Sequence, residues 1–217
     1  MVQSKKVLPK TPWMASFKWS FKFKPLVVII LALSAFGVGE GLLVLSGLGS
    51  TPWTVLSQGI SMRTGWDIGW VTFLISIVVL LFWIPLYQRP GLGTVLNIIF
   101  IALFIGLTVR FVPAAQGWLA RWLMCVGGVL VIGISSAFYL TCHLGAGPRD
   151  GLMIGLCSRT GWRVGFVRSS IEIVVCLIGW LLGGVVGIGT LLFAFGVGWV
   201  VQASLQLMAK KYEAETF

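Results

Sequence analysis

Residues 49–71, GSTPWTVLSQGISMRTGWDIGWV, return 96 positions later as residues 145–167, GAGPRDGLMIGLCSRTGWRVGFV. No gap is needed. Gly49, Pro52, Leu56, Gly59, Arg63, Thr64, Gly65, Trp66, Gly69 and Val71 recur as Gly145, Pro148, Leu152, Gly155, Arg159, Thr160, Gly161, Trp162, Gly165 and Val167, ten identities in 23 positions. The same register pairs Ile75 with Ile171, Val78 with Val174, Leu81 with Leu177, and Gly91, Gly93 and Thr94 with Gly187, Gly189 and Thr190. Aliphatic matches arise easily in an apolar chain, but proline, Arg-Thr-Gly-Trp and glycine held in one register mark an internal duplication.

The surrounding chain says in which solvent the duplication folds. Of 217 residues, 58% are hydrophobic and 10% charged, with 28 glycines and 11 tryptophans. Soluble domains run ~25% charged, so this chain cannot cover itself with polar surface. That excludes a water-soluble enzyme, a nucleic-acid binder and a disordered chain. Apolar runs at 25–47, 66–86, 93–112, 119–141, 162–184 and 187–207 approach the ~20 residues a helix needs to cross a bilayer. Barrel-type alternation is missing, and only helices satisfy their own backbone in lipid. The expected fold is therefore all-α, a polytopic membrane bundle of six transmembrane helices. The first apolar run continues past the small residues Ala32 to Ala35, so it reads as an uncleaved helix rather than a signal peptide.

Each copy holds three crossings, units 25–112 and 119–207, so the second must enter the membrane upside down relative to the first. The expectation is an inverted-topology repeat, an arrangement common in secondary transporters but also found in channels and structural membrane proteins. The net charge of +10 then reports orientation. Six lysines precede the first helix; with Arg89, Arg149, Arg159, Arg163, Arg168, Lys210 and Lys211 they put thirteen cations on one side, against Arg63, Arg110 and Arg121 on the other. The positive-inside rule makes both termini cytoplasmic. Segment 1–24 alternates rings and cations (Phe17, Lys18, Trp19, Phe21, Lys22, Phe23, Lys24), which suits a headgroup layer. Residues 208–217 form a short cytoplasmic tail.

Between the first two crossings of each unit lie segments too short to span, 52–63 and 148–159, with proline at the start and glycine beyond the end, the residue asymmetry of a short helix. Each reads as an interfacial or a re-entrant helix. Glycine-rich approaches leave amides open at the helix N-terminus, where an anionic group could sit. In the plainer reading Arg63 and Arg159 snorkel, Gly65 and Gly161 cap, Trp66 and Trp162 join the aromatic belt, and Thr64 and Thr160 complete a structural motif.

These paired motifs, Gly49-Ser-Thr-Pro52-Trp53-Thr54 and Gly145-Ala-Gly-Pro148-Arg149-Asp150-Gly151, each followed by Arg-Thr-Gly-Trp, resemble those of the YczE/YyaS/YitT-type bacterial membrane proteins, closest to the YczE-like branch. The resemblance covers about Pro25 to Lys211. With only Tyr212 to Phe217 after the last basic pair, no soluble C-terminal domain of the YitT type is expected. The resemblance implies a bacterial cytoplasmic-membrane location and an activity commonly guessed to be transport; it supplies no catalytic residues.

Charges inside apolar runs are costly and so informative. Glu40 has no partner one helical turn away and could take up a proton or coupling cation. Arg168 and Glu172 stand at i, i+4, where a structural ion pair is the simpler role. The copies differ at Trp53/Arg149, Thr54/Asp150, Asp67/Arg163 and Ser76/Glu172, positions where a symmetric scaffold can acquire substrate asymmetry. For Asp150 a first-turn carboxylate on free amides is the simplest structural role. Four cysteines without CxxC spacing read as buried thiols, and the single His143 as a packing residue, with no metal set around it. No HExxH, no suitably spaced carboxylate pair, and no Ser or Cys placed to use His143 as a base is present, so neither an enzyme nor a cofactor is expected. The glycine pairs 37/41, 65/69, 161/165 and 179/183 are spaced for close helix approach.

Together these features lead to a small-solute transporter or permease whose site is shaped by Gly49, Pro52, Thr54, Gly145, Pro148, Arg149 and Asp150, with Glu40 as the coupling group. The alternative is a non-transporting membrane scaffold or accessory protein whose N-terminus binds anionic lipid or a cytoplasmic partner.

Overall fold

A computed structural model describes Pro9 and residues 11–213; the first eight residues, Lys10 and the last four of the expected tail lie outside it. Among the described residues there are eight α-helices and no strand: α1 Phe23–Ser46, α2 Pro52–Thr64, α3 Ile68–Leu81, α4 Leu92–Phe111, α5 Trp118–Thr141, α6 Pro148–Thr160, α7 Val164–Leu181 and α8 Ile188–Glu213. Five of them are long and apolar enough to cross a membrane, and a sixth span results if α2 and α3, bent by 120°, are counted together. The second expected crossing shortens most. Its helix has 14 residues, about 21 Å at 1.5 Å per residue, because Asp67 accepts the Gly69 N–H and caps its start while Pro85 has no N–H to carry the helix through the turns at 82–87.

Helices α1 and α5 pack together at the centre, α4 flanks α1, α8 flanks α5, and α3 lies on α4. Glycines set the approach of α1 to both neighbours. A Cβ on Gly37 would stand 2.8 Å from the Ile101 carbonyl oxygen, one on Gly41 2.6 Å from Thr108, and one on Gly39 2.8 Å from Ile132. The Gly37/Gly41 pair thus builds the monomer's own core, whereas Gly65 and Gly161 are left-handed C-caps (φ 74° and 70°). His143, expected to be packed, is exposed; it takes the left-handed turn (φ 57°) that Gly47 takes (φ 63°) after the other copy's first helix.

Contacts between the copies recur at the 96-residue spacing with the partners exchanged. Gly189 N–H donates to the Leu48 carbonyl (2.7 Å), and Gly93 N–H to the Leu144 carbonyl (2.8 Å). Turn residue Gly49 lies against Gly187 and Thr190, turn residue Gly145 against Gly91 and Thr94. Arg63 Nε donates to the Leu182 carbonyl (3.1 Å), and Arg159 donates to the Pro85 carbonyl. These arginines are more than snorkelling side chains: each meets a carbonyl beyond the end of a helix of the other copy, Leu182 one residue past α7 and Pro85 four past α3, the two acceptors one position out of the 96-residue register. Trp66 and Trp162 remain exposed beside them, and Thr64 and Thr160 each accept the N–H two residues ahead.

The basic aromatic segment is a strap. Ala15 N–H donates to the Cys142 carbonyl (3.0 Å), Leu92 N–H to the Lys18 carbonyl (2.9 Å), and Trp13 Nε1 to Thr141 Oγ1 (3.0 Å), with the Trp13 ring on Phe138 and Tyr212. It ties α5, α4 and α8 together and leaves Phe17, Trp19, Phe21 and Phe23 exposed.

Candidate functional site

The two short helices enter the bundle by their N-termini. Along α2, Pro52, Trp53, Thr54 and Val55 are buried while Met62, Arg63 and Thr64 are exposed. Its N-cap Thr51 reaches Glu40, six residues before the end of α1, hence about 9 Å down that helix. From the other copy, Arg149 in the first turn of α6 reaches the same carboxylate. Its guanidinium NH1 donates to Glu40 Oε1 at 3.0 Å and its Cζ sits 5.4 Å from the centre of the Trp53 ring. Glu40 is fully buried. A relay of hydroxyls supports it: the Thr51 and Thr54 oxygens are 2.8 Å apart, and Thr51 Oγ1 donates to Glu40 Oε1 at 3.2 Å. Its second oxygen, Oε2, is buried without a hydrogen-bond partner, a group that costs free energy until a donor meets it.

This cluster borders a cavity of about 270 Å³. Of the residues singled out in the sequence, Glu40, Pro52, Arg149, Asp150, Arg168 and Glu172 line it together. The Arg168–Glu172 pair forms as expected, at 2.9 Å, with both side chains partly exposed. Gly49, Gly145 and Pro148 serve the frame instead: the glycines hold the exchanged turns, and the Pro148 carbonyl accepts from Trp83 Nε1 at 2.9 Å. Thr54 acts through Thr51. Residues the sequence did not single out complete the wall, notably Thr51, Asn97, Ser136 and Tyr139. The hydroxyl of Tyr139 donates to the Gly145 carbonyl at 3.2 Å. Asn97 and Ser136 carried a faint signal as polar side chains within apolar runs. No cluster of three or more metal-ligating side chains occurs among the described residues.

Fourteen of the cavity's lining residues form seven pairs at the 96-residue spacing: Phe36/Ile132, Glu40/Ser136, Thr51/Gly147, Trp53/Arg149, Ser76/Glu172, Asn97/Phe193 and Ile101/Val197. The cavity therefore lies where each copy faces its counterpart. Three pairs match a charged residue with a neutral one.

The copies also differ in closure. Helix α3 closes on α4, with a Cβ on Gly69 only 2.6 Å from the Ala102 carbonyl and 3.0 Å from Gly106 Cα. At the corresponding place Gly165 and Gly198 have nothing within reach of a Cβ, and exposed Gln202 stands where the first copy has Gly106. Helix α7, with only Val167 and Gly179 buried, does not pack along α8.

Residues 23–206 match a family described as a family of unknown function, DUF6198. An uncharacterized protein of Haemophilus influenzae is 54% identical over 210 residues, covering 97% of this chain and 96% of that one. The uncharacterized membrane protein YczE of Bacillus subtilis is 32% identical over 192 residues (87% and 85%), and the uncharacterized protein YyaS of the same organism 28% over 169 residues (76% and 82%). No solved structure matches.

Proposed function

The chain belongs to DUF6198, a membrane-protein family of unknown function, and from that premise we propose that it carries a small solute across the membrane through a site between two inverted three-span halves. In this reading there are six spans, with the short α3 as the second, α2 and α6 are re-entrant, and both termini lie in the cytoplasm of a bacterial inner membrane. The protein binds and passes its ligand without chemistry on it.

One observation carries the reading: a cavity with charged groups in its wall lies where the copies meet, bordered by a buried carboxylate of one copy held by an arginine of the other. Charges at such depth are costly and are retained mainly on ligand or ion pathways. The exchanged hydrogen bonds support the pseudo-twofold relation, and an odd number of spans per half makes it an inversion. Unequal closure supports motion. If each half can adopt the packing of the other, α7 closes on α8 as α3 leaves α4, and the cavity changes the face to which it opens.

The test uses Ser136→Cys, the cavity position that is the counterpart of Glu40, in a background freed of Cys125, Cys142, Cys157 and Cys176. A membrane-impermeant thiol reagent should label it from either face, in right-side-out and in inverted vesicles. A Gly165→Cys/Gln202→Cys cross-link should abolish labelling from one face. Labelling from a single face in the uncross-linked protein, or from neither, overturns alternating access. A second reading, a scaffold anchored to anionic lipid, is favoured by the exposed rings of the strap; Phe17→Ser/Trp19→Ser/Phe21→Ser should then abolish function while cavity variants leave it intact.

A further inference from the structure

A second cavity, of about 810 Å³, adjoins the first, sharing Trp53 and Ile171 with it. Its walls are the facing sides of α3 and α7, its floor is α2 with Leu152 of α6, and Thr64 and Ser170 are its polar lining residues. It too is built of counterparts at the 96-residue spacing: Leu56/Leu152, Leu74/Ser170, Ile75/Ile171, Val78/Val174, Val79/Val175 and Phe82/Ile178. Both cavities therefore follow one pseudo-twofold axis. In an inverted repeat that axis lies in the membrane plane near mid-depth, so the slot between α3 and α7 opens sideways, into hydrocarbon. Through such an opening an apolar group enters readily, and a polar head enters as the end of an apolar chain.

Charge decides the head. The wall of the first cavity holds Glu40, Asp150 and Glu172 against Arg149 and Arg168. Two ion pairs cancel four of these charges, leaving a net charge of −1, and Glu40 Oε2 is buried without a donor. An ammonium supplies both the donor and the positive charge; a carboxylate supplies neither. From this continuity of slot and cavity we propose that the ligand is an amphiphile with a cationic amine head, bound beside Glu40, and an alkyl tail lying in the α3–α7 slot. The proposal rests on the site between inverted halves proposed above and names its substrate class.

Full-length protein in lipid nanodiscs is titrated calorimetrically with octylamine, ethylamine, octanol and octanoate, with empty nanodiscs as the blank. Octylamine should bind saturably and at least ten-fold more tightly than each of the other three. Glu40→Gln should bring octylamine to the level of octanol. Val174→Trp, which fills the slot away from the charges, should remove most of the gain of octylamine over ethylamine and leave ethylamine unchanged. A thermal melt shows that each variant is folded, and if Glu40→Gln fails to fold, Asp150→Asn replaces it with the same expected loss. Octanoate binding as tightly as octylamine overturns the cationic head. Ethylamine equalling octylamine, or Val174→Trp without effect on octylamine, overturns the tail site. An absence of saturable binding above the blank overturns the whole. Protein-dependent flux of octylamine in proteoliposomes is measured separately: binding without flux removes the transport reading and leaves the ligand class standing.

Discussion

Removing Arg149 should destabilise the protein more than removing Glu40, although both substitutions break the same 3.0 Å ion pair. The asymmetry follows from burial. Glu40 has a fully buried side chain, whereas that of Arg149 is 22% exposed. In Arg149→Met the methionine keeps an apolar stem near the Trp53 ring, and Glu40 is left with Thr51 as its one hydrogen-bond donor. Breaking a buried pair by removing one partner costs about 3–5 kcal/mol. In Glu40→Gln the guanidinium stays over Trp53, where cavity water can reach it, and the loss is nearer that of one charge-assisted hydrogen bond, about 1.5–3 kcal/mol. For a chain of this size each kcal/mol moves Tm by roughly 2–4 °C, so the mid-range difference of about 1.75 kcal/mol should make Arg149→Met melt about 3–7 °C below Glu40→Gln in the same detergent. The double variant should recover part of the Arg149→Met loss, because no charge is then left unpaired. Equal melting temperatures, or a lower one for Glu40→Gln, would refute the burial argument, and a double variant that is merely the sum of the singles would refute the coupling.

Arg63→Ala and Arg159→Ala each lose a side chain that donates to a carbonyl of the other copy; each should cost about 1 kcal/mol, and the two costs should add within about 0.5 kcal/mol when measured singly and together by thermal melts. A melt of His143→Gly should show a gain of up to about 1 kcal/mol, since glycine adopts φ 57° freely, and Gly47→His a loss of similar size at the equivalent turn.

Features with local causes were legible in the sequence. The Pro52 and Pro148 starts, the Gly65 and Gly161 stops and the apolar run lengths place all eight helices within about two residues of their observed starts. What escaped was non-local. Nothing near Glu40 announces Arg149, which stands 109 residues away, and nothing near Arg63 announces the carbonyl it caps. The position of the site was half legible. Listing where the copies differ pointed to Trp53/Arg149 and Ser76/Glu172, which both line the cavity, but missed Glu40/Ser136, because a lone acid in an apolar run was judged by its own helix. Unequal closure had one written sign, Gln202 in place of the glycine that lets α3 meet α4 at Gly106.

Divergence at the cavity has an electrostatic cause that needs no ligand. A residue close to a pseudo-twofold axis faces its own counterpart, so an identical charge there faces itself. Trp53 and Arg149 occupy such a pair, 5.4 Å apart from ring centre to guanidinium carbon. Trp53→Arg would restore the symmetry and set two guanidiniums at about that separation, where like charges repel by about 3 kcal/mol at an effective dielectric near 20. It should therefore be less stable than the apolar control Trp53→Met by roughly that amount. Exchanging the pair, Trp53→Arg with Arg149→Trp, removes the repulsion but strands Glu40, whose counterpart is Ser136. Adding Glu40→Ser and Ser136→Glu carries the whole constellation to the other copy, so the quadruple variant should melt above the double one. If the double variant is as stable as the quadruple, the two copies are not interchangeable frames for one ion pair, and the twofold relation at the cavity is wrong.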